Sequence, residues 1–401
     1  MKPIIAQIIY PLNYLNLLLH YKKKFDLEKF NLNLKKKLNI NDNLILLGRA
    51  RTGIYLLVKY FLKTSNNNNV MIAPYTVPDV INMIIKAGGQ PLFLDFKKQT
   101  TNICLKSLKT IINKKKPAII IITHYAVNDN NFKKIFELCK KKSIKIIEDS
   151  AISFNGKANG VKINTISDGS IFSFSSYKFL NYFFGGALRC KDKKIYNEIK
   201  NEVFLWEKMK ITDYKSAIIS TIKQQIISIN FIFKNIFLPS LSKKKEFKKY
   251  TPYQFNKMDN SYFKKPSTNC LMELNSKVNT INNHQRHRRK ISKIYLKYLN
   301  KISVPPNINN NVIMQSSCIH YLIYSNKPNY LRNILLKKNF NTGKFFYENC
   351  GNLKYLKKFY GTSKNISDLE KKLILLPTHI HITKKYATQL SKEILKINDN
   401  R

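Results

Sequence analysis

Four isoleucines in a row, Ile119 to Ile122, constrain this chain more than any other feature. An unbroken β-branched run fits a strand covered on both faces, and such strands belong to parallel sheets with helices on either side. The flanking sequence agrees. From Leu44 to Cys190, short apolar segments alternate with helical ones, which predicts an α/β sheet of largely parallel strands. The expected strands are Val70–Ala73, Leu92–Asp95, Ala118–Thr123, Ile144–Glu148, Ser170–Phe174 and Ala187–Cys190. Between them, helices are expected over Thr52–Leu62, Val77–Lys86 and Asn131–Lys142.

The character changes after residue 205. Ile218, Ile222, Ile226, Ile229, Phe233 and Ile236 recur at helical spacing within Thr212–Leu238, and Pro239 ends the run. This helix reads as buried or facing a second subunit. A rival reading lays it on a membrane surface, backed by lysines. The lysine-rich stretch Lys243–Lys265 reads as a connector. Beyond it a smaller α/β domain is expected, with a helix over His284–Asn300 (Ile291, Ile294, Tyr295, Tyr298 and Leu299 on one face) and a strand over Ile319–Tyr324. A last helix is expected to be capped by Thr383, with Ala387, Leu390, Ile394 and Ile397 inward. The division is therefore a large domain over residues 1–262, with a helical insertion at about 205–250, and a small domain over 263–401.

Composition narrows the options. The 401 residues carry 71 basic and 23 acidic side chains, a net charge of +48. Such a balance suits nucleic acid or an anionic membrane. Here the lysines are spread along the whole chain beside many Asn and Ile residues, without a zinc-finger or RNA-binding signature. Runs such as Lys114–Lys116 read as solvated surface, and no specific nucleic-acid partner is expected. Six cysteines stand singly, so neither a metal site nor a disulfide framework is expected, and the expected compartment is a reducing cytoplasm. The segment Met1–Leu19 lacks a small-residue cleavage site and is not read as a signal peptide. No uncharged apolar run reaches 18 residues, so no membrane span is expected.

The chemistry concentrates in three short segments. The strand at Ile144–Glu148 runs into Asp149-Ser150-Ala151. Ser173-Phe174-Ser175-Ser176-Tyr177-Lys178 follows, and then Gly185-Gly186. A lysine can form a Schiff base with an aldehyde cofactor, and an incoming amine can displace it. Pyridoxal 5′-phosphate (PLP) is an electron sink only while its ring nitrogen stays protonated, which a neighbouring carboxylate ensures. Asp149, at the carboxyl end of a buried strand, is placed where open α/β sheets bind ligands. Phosphate needs main-chain N–H groups at a helix start and a few hydroxyls. Arg51 and Thr52, after the run Leu44 to Gly48, supply the first, and Ser173 supplies a hydroxyl. Singly, each residue has a plainer use: Asp149 as a helix cap, Lys178 as an exposed lysine, Ser173 as a polar strand position. Their order and spacing carry the reading.

With these segments in place, the chain resembles the DegT/StrS-type PLP-dependent sugar aminotransferases, a branch of the fold-type-I enzymes. The resemblance lies in Gly48-Arg49-Ala50-Arg51-Thr52-Gly53, in Ala73-Pro74-Tyr75-Thr76, and in Ala87-Gly88-Gly89-Gln90-Pro91-Leu92-Phe93-Leu94-Asp95. It continues in Thr123-His124-Tyr125-Ala126, Glu148-Asp149-Ser150-Ala151, Phe172 to Lys178, Gly185-Gly186 and Leu375-Leu376-Pro377-Thr378-His379. It runs from about residue 44 to the end, with Thr212–Tyr262 matching poorly. It implies a mixed, mostly parallel sheet flanked by helices, plus a smaller C-terminal α/β domain. It implies Lys178 as Schiff-base lysine and proton shuttle and Asp149 as partner of the pyridinium. Ser173, Thr52 and the Arg51 amide would hold the phosphate. Lys265, before Pro266-Ser267, matches a basic residue lent to the phosphate by the second subunit of a homodimer. Substrates would be a nucleotide-linked keto-sugar and an amino-acid donor, glutamate, for cell-envelope polysaccharide or a related glycan.

Three positions depart from the family pattern. Ile152 stands where Gln or His neighbours the ring hydroxyl, Val77 where an aromatic stacks on the ring, and Phe184 where Glu precedes the glycine pair. The retained lysine separates the chain from the family's sugar dehydratases, which carry His there. The alternative to an enzyme is an eroded member acting as a scaffold or membrane-associated subunit, anchored through residues 212–238.

Overall fold

The structure, a computed structural model, describes residues 25–399 except 127–130, 155, 159, 177, 228–261, 307 and 344–346. Its centre is a seven-stranded sheet. The strands are β1 (Leu44–Leu47), β2 (Asn69–Ile72), β3 (Gln90–Phe93), β4 (Ile119–Thr123), β5 (Lys145–Asp149), β6 (Gly169–Ser173) and β7 (Gly186–Cys190). They lie in the order β1-β7-β6-β5-β4-β2-β3. All run one way except β7, which is antiparallel to both β1 and β6. This is the mostly parallel mixed sheet expected from the sequence.

The isoleucine run does what its composition dictates. Side chains alternate along a strand, so Ile119 and Ile121 enter one core while Ile120 and Ile122 enter the other. The first core is closed by helices Ala50–Leu62, Pro78–Lys86 and Lys193–Leu205 through Ile54, Leu57, Ile81 and Ile199. The second is closed by Leu105–Lys115 and Phe132–Lys141 through Leu108, Ile112, Ile135 and Cys139. Burying each isoleucine contributes about 1.5–3 kcal/mol.

Strand β3 starts and ends two residues before the expected span. Asp95 has left the ladder: its carboxylate accepts from the Asn365 and Ile366 amides at 3.2 Å, capping helix Lys364–Lys372. Pro91 is tolerated because β3 is a sheet edge.

The glycine pair has a steric cause. Gly185 has φ +148°, and a Cβ on Gly186 would stand 2.5 Å from Ala50 Cα and 2.7 Å from Ala50 N. Only glycine lets β7 pass beneath the start of helix Ala50–Leu62.

A second layer is built on β8 (His320–Tyr324) and β9 (Leu373–Pro377), paired antiparallel. Helices Ile281–Leu299 and Lys384–Asp399 cover it, and Ile291, Tyr295, Leu299, Leu390 and Ile394 fill its core. Thr383 caps the last helix, its hydroxyl accepting from Tyr386 N at 3.1 Å. Helix Thr268–Lys277 packs instead into the core at the sheet's carboxyl end, through Cys270 and Leu274. The chain also returns to the first layer: Glu348–Asn349 pairs with Tyr75–Thr76.

The expected helix 212–238 begins as a 3₁₀ turn, Ile211–Tyr214, followed by the helix Lys215–Ile227; its remainder lies outside the described residues. Ile218 packs on the core, but Ile219, Ile222 and Ile226 are 43%, 43% and 46% exposed. Within one chain Ile222 and Ile226 of the ridge are therefore not buried. Among the described residues no helix is long and apolar enough to cross a membrane.

Candidate active site

The site lies where the carboxyl ends of β5 and β6 meet the start of β7. Parallel pairing puts Asp149 level with Thr123 and with Ile171, and the next ladder puts Gly186 beside Ser173. A cavity of about 480 Å³ opens there. Asp149, Lys178, Ser173, Arg51, Val77 and Ile152 all line it. Together with Phe184, seven of the nine site positions singled out in the sequence thus converge on one space.

Asp149 is buried, and the Ala151 amide donates to its Oδ1 at 3.0 Å. Burial pushes its carboxyl up, tempered by that amide and by the charges of Lys178 and His124. Lys178 shifts the other way. Burial, chiefly, and the Arg51 charge lower it, Asp149 opposes them, and the net effect brings it to about 8. More of the Lys178 amine is therefore unprotonated near neutral pH than in an ordinary lysine. The two groups sense each other, and the amine is poised as a nucleophile.

Behind Asp149 lies a second buried pair. His124 Nε2 and Glu148 Oε2 are 2.6 Å apart, with neither side chain reaching solvent. Both Glu148 oxygens lie 3.0 Å from the Asn164 amide. Burial alone would raise the Glu148 carboxyl, but the bond and charge of His124 bring it below its ordinary value.

The helix start expected to face the phosphate begins at Ala50, two residues before the expected Thr52. Ala50 and Arg51 line the cavity, and the Arg51 guanidinium pairs with the buried Asp79 of the next helix. Thr52 does not line it. Its hydroxyl is fully buried and donates to the Arg49 carbonyl at 2.7 Å, so it is spent on the helix's own first turn. Ser173 does line the cavity, 3.4 Å from the Ser175 hydroxyl, and Ser175 and Ser176 line it too. Lys265 lies outside the cavity of its own chain. Its main chain pairs with Glu207 and Met209, and its ammonium donates to the Phe204 carbonyl at 2.7 Å.

The departures from the family pattern are part of the wall. Val77 and Ile152 give it apolar faces. Phe184 carries the Arg49 guanidinium 4.0 Å from its ring centroid, and Tyr262 lies 4.8 Å from the same group. An aromatic face thus holds a cation at the position of the family's Glu.

Among the wall residues that escaped the sequence reading are His320 and Tyr347. His320 begins β8, a strand that was expected, but nothing in its local pattern marks the imidazole. Tyr347 is set edge-on to Tyr75 at 5.9 Å by the pairing of Glu348 with Thr76. No local signal foretells a contact across that much chain. A larger, shallower hollow of about 580 Å³ lies beside Asp95, Cys104 and Tyr360. Its Asp95 is already occupied as a helix cap.

The model of the DegT/DnrJ/EryC1/StrS aminotransferase family matches residues 24–222, about half of the chain and the half that holds Asp149 and Lys178. The chain belongs to this family. Its DegT-type relatives include the GDP-perosamine synthase of Escherichia coli O157:H7, 29% identical over 136 residues, 34% of this chain and 37% of that protein. The UDP-4-amino-4,6-dideoxy-N-acetyl-β-L-altrosamine transaminase of Helicobacter pylori is 26% identical over 152 residues, 38% of this chain and 40% of that one. The matched stretch therefore spans about two-fifths of the curated relatives' length. Among solved structures, Helicobacter pylori PseC, an aminotransferase of pseudoaminic acid biosynthesis, aligns with a TM-score of 0.73 at 17% identity, covering 100% of this chain and 98% of that one. DesI, solved in the presence of its TDP-sugar product, aligns at 0.71 and 12% identity, covering 100% and 94%. These likenesses show the fold.

Proposed function

We propose that this DegT-type chain is a PLP-dependent transaminase that moves an amino group, with glutamate as donor, to a nucleotide-linked keto-sugar. The product would serve cell-envelope polysaccharide or a related glycan. One observation carries the reading: a buried carboxylate and an amine lowered to about 8 share one cavity at the sheet's carboxyl end. The residues present fit PLP. The cavity is large enough for a pyridine ring with a phosphate arm, it offers a carboxylate for a ring nitrogen, and it offers an amine for an aldehyde.

Bound PLP supplies an aldehyde that accepts amino groups and a ring that draws electrons from the carbon losing its proton. Lys178 would carry the cofactor, be released as a free amine, and then move a proton to and from the substrate carbon. Its lowered pKa suits both tasks, because it gains and loses a proton near neutral pH. Asp149 would hold negative charge at the ring nitrogen, with the His124–Glu148 pair adding a fixed environment behind it. Ala50 and Arg51 at the helix start, together with Ser173, would hold the phosphate. Val77, Ile152 and Tyr347 would exclude water from the ring. Overall the amino acid leaves as its keto acid and the sugar carbonyl becomes a C–NH₂ group.

The DegT-type chain would work as a homodimer in a reducing cytoplasm. The exposed isoleucines Ile219, Ile222 and Ile226 adjoin cavity-lining Ser216 and Ala217, a suitable face for a second copy that also brings Lys265. Purified protein reconstituted with PLP should absorb at roughly 410–430 nm. Borohydride followed by peptide mapping should place the adduct on Lys178. A panel of nucleotide keto-sugars with ¹⁵N-glutamate should yield a labelled amino-sugar. Absence of both absorbance and adduct would favour the scaffold reading.

A further inference from the structure

The loop that carries Lys178 is gripped from the C-terminal layer. Lys178 follows β6 by five residues and has left the sheet. Its amide donates to the Ser175 carbonyl at 2.9 Å. Such a loop needs anchors from outside to fix the amine. The anchors begin at the next residue. Phe179 is buried, edge-on to Phe154 at 5.6 Å, and the Arg288 guanidinium carbon stands 4.7 Å from its ring centroid. The same guanidinium donates to the Ile319 carbonyl at 2.7 Å and to Thr378 Oγ1 at 3.1 Å. Ile319 and His320 both line the cavity. One turn earlier on the same helix, the His284 imidazole hydrogen-bonds the Phe179 main chain. Lys277 adds a third hold, donating to the Asn181 carbonyl at 3.2 Å.

We propose that Arg288 and His284 are positioning residues: from helix Ile281–Leu299 they fix the Lys178 loop and the Ile319–His320 wall in one geometry. This rests on Lys178 being the lysine that carries PLP. A guanidinium is suited to the task and an ammonium is not. Its plane can lie on the Phe179 ring while its edge donates to the Ile319 carbonyl, whereas a lysine can keep only the charge. The arrangement ties the amine to the second layer, so that a shift of helix Ile281–Leu299 reaches the Lys178 loop through these two side chains.

The test uses the full-length chain with PLP and compares Phe179→Leu, Arg288→Met, Arg288→Lys and His284→Ala. Three readouts are taken: PLP affinity from the absorbance at roughly 420 nm, the yield of borohydride adduct on Lys178, and amide hydrogen exchange of peptides spanning 175–184 in the protein without PLP. Phe179→Leu and Arg288→Met should weaken PLP binding about three- to thirtyfold, the range of a lost cation–π contact. Both should also speed exchange in 175–184, and Arg288→Lys should fall between them and wild type. Phe179→Leu leaves the Arg288 hydrogen bonds in place, so it remains informative if Arg288→Met fails to fold. Wild-type affinity and exchange in both variants would overturn the proposal. A wild-type protein that yields no adduct on Lys178 would instead overturn the assignment of that lysine, whatever the exchange shows.

Discussion

Substituting Gly186 with alanine puts the packing beneath the site to a quantitative test. The added Cβ would sit 2.5 Å from Ala50 Cα, 2.7 Å from Ala50 N and 2.8 Å from Ala50 Cβ. Carbon atoms at rest keep about 3.5–4.0 Å apart, so roughly an ångström of space must be found. Two of the three opposing atoms are main chain, so no rotamer change can supply it. Either β7 drops or the start of helix Ala50–Leu62 lifts. Overpacking of this kind costs about 1–3 kcal/mol, which lowers Tm by several degrees in a chain of this size. The larger effect falls on the ligand. Ala50 and Arg51 line the cavity, so displacing the helix start should weaken PLP binding, and an ångström of misplacement at the reacting groups costs on the order of a hundredfold in rate. The assay is PLP titration by absorbance, with Tm measured alongside. Gly160→Ala is the control. Gly160 has φ +79° but an open environment, so that variant should lose stability without losing PLP. A Gly186→Ala protein with wild-type Tm and wild-type PLP affinity would refute the argument that this contact sets the helix start.

Lys178→Met should abolish the borohydride adduct and lower transamination by about 10²–10⁴, while stabilising the protein without PLP at neutral pH. The sign follows from the lowered pKa. The folded chain holds this proton less tightly than the unfolded chain, so the charged amine destabilises the fold below pH 8, by at most about 3 kcal/mol, and the penalty fades as pH rises from about 8 towards 10.5; denaturant melts at pH 7 and 10 would reveal it. Glu148→Gln should cost about 1.5–3 kcal/mol, because a neutral amide replaces the carboxylate in the buried hydrogen bond to His124. In the wild type the stabilisation from Glu148, whose carboxyl is held below its ordinary value, should be lost as pH falls through that depressed value. Thr52→Val and Ser173→Ala should separate, the first lowering Tm by loosening a helix start, the second lowering PLP affinity at nearly unchanged Tm.

Much of this was legible along the chain because the signals are local. The isoleucine run announced a strand with two covered faces, and its alternate side chains do enter two different cores. Asp149 and Ser173 end adjacent strands and Lys178 follows five residues later, so their order was readable. What failed was of another kind. Helix Ala50–Leu62 starts at a residue whose predecessor, Arg49, offers no side-chain cap, so its first turn was placed two residues late and Thr52 was read as a ligand when it serves the helix. The ridge at Ile218, Ile222 and Ile226 showed an apolar stripe, but a stripe does not say what covers it. Tyr347 and His320 reach the cavity only through pairings made across the finished fold.

That last point bears on how the protein comes into being. Tyr347 meets Tyr75, and Arg288 meets Phe179, across long stretches of sequence. While the ribosome is still releasing the second half, the first half can already bury its isoleucines, yet its ligand chamber stands without a roof. Cofactor capture is therefore expected to wait for the tail, and a prematurely terminated product ending before β8 should fold a sheet and remain colourless.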